Sequence, residues 1–271
     1  MYRDGNEEAI VCLDAETGET VWESRYKAAY DGLRQYGSGP RSTPLLVGKT
    51  LFTVGVTGKM HAVDKSNGTV AWSHDLWGGE FRGNRLEHGY SSSPVAYLDT
   101  VIVPVGGDRA GLVAFDQESG SIRWKSPFFK NSYSSPLLVT IAGEEQLIVF
   151  MAEELIGVDP GSGELLWRFP HANQWGHNIS VPVVDGDRIF ISSPQVGARG
   201  LQLIREGETT RVEQIWSERR IQFYLATATP ERLTVLAEAK LLARPALTVP
   251  TIVGQTMYVR DQSQMVAVDL G

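Results

Sequence analysis

The sequence contains one cysteine, Cys12, among 271 residues. That excludes an intrachain disulfide and a cysteine-based zinc site. Long apolar runs are also missing. The longest, LIVFMA at 147–152, falls far short of the roughly 20 residues that cross a bilayer. The opening residues, MYRDGNEEAI, hold no apolar stretch of the kind a signal peptide needs. Runs of Lys or Arg are absent. The 25 basic and 32 acidic residues leave a net charge of −7, which argues against nucleic acid or an anionic membrane as partner. Charged residues are 21% of the chain and are well mixed with apolar ones, so composition does not predict disorder. With 28 Gly and 13 Pro, the chain is expected to be rich in turns and poor in long helices.

A repeat dominates what is present. VCLDAETGETVW (11–22), HAVDKSNGTVAW (61–72), VAFDQESGSIRW (113–124) and IGVDPGSGELLW (156–167) align without gaps. Each has Asp, Gly four residues on, and Trp four residues after that: Asp14, Gly18 and Trp22; Asp64, Gly68 and Trp72; Asp116, Gly120 and Trp124; Asp159, Gly163 and Trp167. A fifth copy ends at Trp216 and has lost its Asp, and VAVD at 266–269 begins a sixth. Successive Trp residues are 50, 52, 43 and 49 apart, a period that fits one β-propeller blade.

The local chemistry agrees. Asp followed by polar residues and Gly is turn chemistry, because the carboxylate accepts nearby backbone hydrogen bonds and Gly supplies positive φ. The residues before each Asp alternate with period two and include a small-residue column: Cys12, Ala62, Ala114, Gly157 and Ala267. This predicts a strand closely pressed on one face. Upstream of each copy stands a Pro-led strand, in RSTPLLV (41–47), SSSPVAY (91–97), SSPLLVT (134–140), ISVPVVD (179–185) and LTVPTIV (247–253). A second strand-like run follows each. The unit therefore reads as a four-stranded blade, with Pro placed where no ladder donor is lost. Trp22, Trp72, Trp124, Trp167 and Trp216 are expected to be structural, filling space between blades.

The Asp-x-x-x-Gly-x-x-x-Trp repeat with its Pro-led strand resembles the pyrroloquinoline-quinone-type β-propeller repeat, and the resemblance covers nearly the whole chain. It implies one of two kinds of protein. Quinoprotein dehydrogenases are eight-bladed and hold the quinone and calcium on the propeller axis. Non-catalytic propellers include the lipoprotein subunit of the outer-membrane β-barrel assembly machinery. The chain is about half the length of the enzymes, lacks their adjacent-cysteine disulfide, and shows no recognisable order of calcium ligands. The non-catalytic branch is therefore the expectation, with no cofactor, and quinone plus calcium is the alternative. An extracytoplasmic or periplasmic, bacterial location follows from the resemblance alone. A third reading is a sensor module of a larger protein.

The expected architecture is all-β: a single propeller domain over 1–271 with about six four-stranded blades, some incomplete. The chain reads as starting inside a blade, and as shortened around 217–249. There FYLATATPERLTVLAEAKLL suggests a hairpin turning at 230–232, whose second half has helix-favouring composition.

Candidate functional residues lie just before the Pro-led strands, on the channel face where propellers commonly bind partners. They are Arg41, His88, Tyr90, Tyr133, His177 and Asn178, joined by Trp77 and Arg85 from the long connection LWGGEFRGNRLEHGY (76–90). The expected ligand is a protein or a carbohydrate; the simpler reading is a water-filled polar rim. His171 and His177 are close in sequence, but without a nearby carboxylate in that segment they read as a loop feature, and no metal is expected. His61 reads as a packed strand histidine with a satisfied partner. No nucleophile elbow or phosphate-binding loop is found, and no catalytic residue is assigned.

Overall fold

The computed structural model describes residues 1–32, 37–141, 143–207 and 209–219, and the backbone of the strands within 224–269. Every regular element among the described residues is a β-strand. Four antiparallel sheets have four strands each, in chain order. We number the sheets as blades. Blade 1 has three strands, Tyr2–Asp4, Glu7–Leu13 and Thr20–Lys27. Blade 2 runs from Leu45–Val47 to Val70–Asp75, and blade 3 from Val95–Tyr97 to Ile122–Lys125. Blade 4 runs from Leu137–Ile141 to Leu165–Pro170, and blade 5 from Val183–Asp185 to Thr209–Glu218. A hairpin, Tyr224–Ala228 with Leu233–Glu238, and a three-stranded sheet, Thr251–Val253, Thr256–Arg260 and Met265–Asp269, follow. The hairpin expected after Trp216 is thus present as strands. Its proposed turn at 230–232 lies outside the described residues.

Blades pack face to face. Alternate residues of one sheet enter different layers, because side chains along a strand alternate sides. Ile102 and Leu112 of blade 3 meet Leu147 and Val149 of blade 4. Val101 and Val103 on the opposite face meet Phe52 and Met60 of blade 2. Ile148 and Phe150 of blade 4 meet Ile189 and Leu201 of blade 5. All are buried. Each such side chain contributes about 1.5–3 kcal/mol relative to exposure. Pro44, Pro94, Pro136 and Pro182 each stand immediately before the first strand of a blade.

The repeat motif interlocks neighbouring blades. In each clean copy the Asp carboxylate caps its own turn: Asp14 Oδ1 accepts the Thr17 N–H at 2.8 Å and Asp64 Oδ1 that of Ser66 at 2.8 Å. Asp116 and Asp159 accept the N–H groups of Ser119 and Ser162, each at 2.7 Å. The Asp14, Asp64 and Asp116 carboxyls are held below the usual range, Asp64 chiefly by the Ser66 hydroxyl and the other two chiefly by these N–H groups. The Gly of each turn has φ between 71° and 77°. The Trp of the preceding blade lies against that Gly: a Cβ on Gly68, Gly120 or Gly163 would fall 2.4–2.6 Å from Trp22, Trp72 or Trp124. The same indoles donate Nε1–H to the carbonyl just after the next blade's Asp. The acceptors are Lys65 at 2.8 Å, Gln117 at 3.1 Å and Pro160 at 3.1 Å.

The small-residue column has its explanation here. Cys12, Ala62, Ala114, Gly157 and Gly200 stand directly opposite Trp22, Trp72, Trp124, Trp167 and Trp216 on the neighbouring strand, and the register shifts by a bulge right after each. Directly opposed residues share a face, so a small residue makes room for the indole. The degenerate fifth copy changes the pattern. Blade 5 lacks the Asp–Gly turn, and Trp167 instead lies over Gly157 and donates to Gln146 Oε1 at 2.7 Å within its own blade.

Candidate functional site

The Asp–Gly turns lie at one end of the blades. The polar connections into the first strands lie at the other, and there a second ladder runs from blade to blade. Before the prolines of blades 2 and 3, the preceding residue donates its N–H to the hydroxyl of the equivalent residue one blade on: Thr43 to Ser93 Oγ and Ser93 to Ser135 Oγ, both at 2.9 Å. Ser132 Oγ accepts the Asn178 N–H at 2.8 Å, and Ser134 Oγ donates to the Ser180 carbonyl at 3.1 Å. The short hydroxyl side chains reach directly from one connection to the backbone of the next.

The expected site residues divide into two groups. Tyr90 and Asn178 are fully buried. Tyr90 donates its hydroxyl to the Pro104 carbonyl at 2.8 Å, and burial pushes its phenol up. Asn178 donates to the carbonyls of Met151 at 2.6 Å and His171 at 3.1 Å, and accepts from Asn173 Nδ2 at 2.9 Å. Both spend their polar groups inside the protein. Trp77 is half-buried, against Gly58 and 6.5 Å from the Tyr90 ring. Arg41 reaches the carbonyls of His88 and Gly37 and fixes the chain beneath the site.

The second group comes together. The His88 and His177 rings are 5.4 Å apart and edge to face, and Tyr133 lies 6.0 Å from His88 and 5.2 Å from His177. The Tyr133 hydroxyl accepts the His88 N–H at 3.4 Å. Glu87 Oε2 is 3.9 Å from His177 Nε2. Burial, with His177 alongside, holds the His88 imidazole below its ordinary pKa, and burial raises that of Tyr133. Glu87, Tyr133 and His177 of this group edge a solvent-open cleft of about 170 Å³, lined also by Arg85, Lys130 and Trp175. Trp175 is 57% exposed, and Arg85 and Lys130 are exposed.

Glu87, Lys130 and Trp175 were missed in the sequence. Glu87 and Trp175 are each within two residues of an expected histidine, which was the available signal. His171, despite its closeness in sequence to His177, is elsewhere: it is buried, 2.8 Å from Ser193 Oγ, with its pKa lowered by burial to about 4. His61 is buried as expected, its ring 4.1 Å from that of Tyr26, but the satisfied partner expected for it is missing at Nδ1, which makes no hydrogen bond among the described residues.

Residues 6–244 match a family described as outer membrane protein assembly factor BamB. The chain belongs to this family. A search of curated proteins finds no match. Among solved structures, BamB from Moraxella catarrhalis aligns with a TM-score of 0.57 and 16% identity, over 98% of this chain and 70% of that one. Quinohemoprotein alcohol dehydrogenase from Comamonas testosteroni aligns at 0.58 and 12%, over 95% and 49%. A europium-containing methanol dehydrogenase aligns at 0.50 and 11%, over 84% and 51%. These identities show a shared fold, the β-propeller of the BamB family. The chain spans about half the length of the two dehydrogenases.

The residues do not fit the quinone–calcium pair of the enzymes. Among the described residues, the Asp, Glu, His and Cys side chains close enough to share a cation are Glu87, His88 and His177. Calcium takes about six to eight oxygen ligands, and this group offers two imidazoles. The adjacent-cysteine platform is also impossible with Cys12 alone.

Proposed function

We propose that the protein is a non-catalytic propeller that holds a protein partner against its connection face, outside the cytoplasm. The observation that carries this reading is the rim of the cleft. Exposed Trp175 stands there with Arg85 and Lys130, beside the Tyr133, His88 and His177 rings. Trp, Tyr and Arg are the side chains that most often anchor protein interfaces. The two inter-blade ladders hold the rim in place before binding, which lowers the ordering cost of association. The family's description supports a partner that takes part in outer-membrane protein assembly.

The test is co-purification with outer-membrane assembly proteins from native membranes, for the wild type and for Arg85→Ala/Trp175→Ala. The expected result is a specific partner retained by the wild type and lost by the variant at unchanged melting temperature. Equal retention by both would refute the assignment of this face. A second reading, a quinoprotein oxidoreductase, is favoured by the fold likeness to the Comamonas enzyme. It predicts that pyrroloquinoline quinone with calcium raises the melting temperature. A ligand at a hundred times its dissociation constant adds about 2.7 kcal/mol. Our reading predicts no shift.

A further inference from the structure

We propose that Glu87, His88 and His177 form a binding site for one divalent transition-metal ion of the zinc class, with its open coordination position facing the cleft. The ligand atoms of the three side chains all lie within 4.8 Å of one another, and the Glu87–His177 separation is 3.9 Å. Two donors bonded at about 2.1 Å to one tetrahedral ion sit roughly 3.4 Å apart. Closing the set requires movements of about an ångström. Glu87 is exposed, so its carboxylate is free to rotate inward. Two imidazoles and one carboxylate suit zinc and its neighbours rather than calcium or magnesium, which prefer oxygen donors throughout.

The backbone that carries these ligands is held in advance. The Arg41 guanidinium binds the His88 carbonyl, and the Tyr133 hydroxyl accepts the His88 N–H. Asn173 Oδ1 accepts the His177 N–H at 3.0 Å, and the next residue, Asn178, is buried and bonded at both ends of its amide. The Tyr133 ring meets the His177 ring edge-on at 88°. The ligands come from two connections about 90 residues apart in sequence, so the site requires the folded propeller. Arg85 and Lys130 line the cleft beyond the ligands. Water or an anionic group is therefore the fitting occupant of the fourth position. The inference is independent of the partner reading, because it rests on ligand geometry alone.

The test uses the full chain, stripped with a chelator and titrated with Zn²⁺ by calorimetry. The expected result is saturable binding of one ion per chain. Removing hydrogen-bond partners of metal ligands typically costs about 10–100-fold in affinity. His88→Gln and His177→Gln remove ligands themselves and are expected to cost at least that much. Glu118→Gln, in a turn at the opposite end, should change nothing. In case a variant fails to fold, imidazole nitrogen NMR of the wild type gives an independent readout. On adding Zn²⁺, the signals of two of the five histidines should shift, those of His88 and His177. Absence of saturable binding by the wild type overturns the proposal. So does binding that persists unchanged in a folded His88→Gln/His177→Gln variant, or a zinc response in His61, His74 or His171 instead.

Discussion

Gly120→Ala and Gly18→Ala alter the same motif position in two different surroundings. Both glycines close an Asp-capped turn, with φ of 71° and 73°. A Cβ on Gly18 would meet nothing within 4 Å, whereas one on Gly120 would fall 2.6 Å from Cγ and Cδ2 of Trp72. Placing an L-residue in the left-handed region costs roughly 1–2 kcal/mol, and both variants incur that cost. Forcing an extra carbon into a packed contact adds about 1–3 kcal/mol, and only Gly120→Ala incurs it. The Trp72 ring has little room to retreat, being 5.7 Å from Phe52 and 5.9 Å from Phe115. The expected losses are therefore about 1–2 kcal/mol for Gly18→Ala and about 2–5 kcal/mol for Gly120→Ala. Urea unfolding followed by circular dichroism measures both. In a Trp72→Ala background the excess cost of Gly120→Ala should disappear. Equal losses in the two single variants would refute the idea that Trp on Gly locks one blade to the next.

Other expectations follow from single contacts. Trp72→Phe removes the five-membered half of the indole together with the Nε1–H bond to Gln117, and urea unfolding should register a loss no smaller than the about 0.5–1.5 kcal/mol of the hydrogen bond alone. Asn178→Ala leaves the buried carbonyls of Met151 and His171 without their amide donor, a loss of roughly 1–3 kcal/mol for each group left unpaired, readable in the thermal melt. Burial lowers the pKa of His61 from 6.5 to about 4, so the folded state binds its proton more weakly than the unfolded state. The stability that neutral His61 provides is full above pH 6.5 and is lost as pH falls toward 4, by an amount on the order of 3 kcal/mol. His61→Phe should therefore flatten the dependence of the urea midpoint on pH between those limits.

The blade motif was legible because its chemistry is local. Asp14, Gly18 and their counterparts sit four residues apart, and turn capping needs nothing from the rest of the chain. The structural role of the Trp residues was legible from their spacing. Their target, the Gly of the following blade, was not, since it lies 39–48 residues downstream and is reached only through packing. The site was harder to read. Ser, Asn, Tyr and His before a Pro-led strand look alike in sequence whether they face solvent or satisfy backbone groups in the crevice between blades. Tyr90 and Asn178 do the latter, and His177 does the former. His171 and His177, read as a loop feature, are near in sequence but apart in space, because the chain between them turns one ring toward Ser193 and the other toward His88. Glu87 gains meaning only once blade packing brings it to His177.

The central claim is that the connection face, and not the Asp–Gly turn face, engages a protein partner. Photocrosslinking amino acids placed singly at Arg85 and Trp175, and at Glu118 and Ser162 on the opposite end, test it most directly in cells of the native host. The account predicts one crosslinked protein of the outer-membrane assembly apparatus from the first two positions and none from the last two. Crosslinks only from Glu118 and Ser162, or from no position while quinone and calcium stabilise the purified chain, would contradict it.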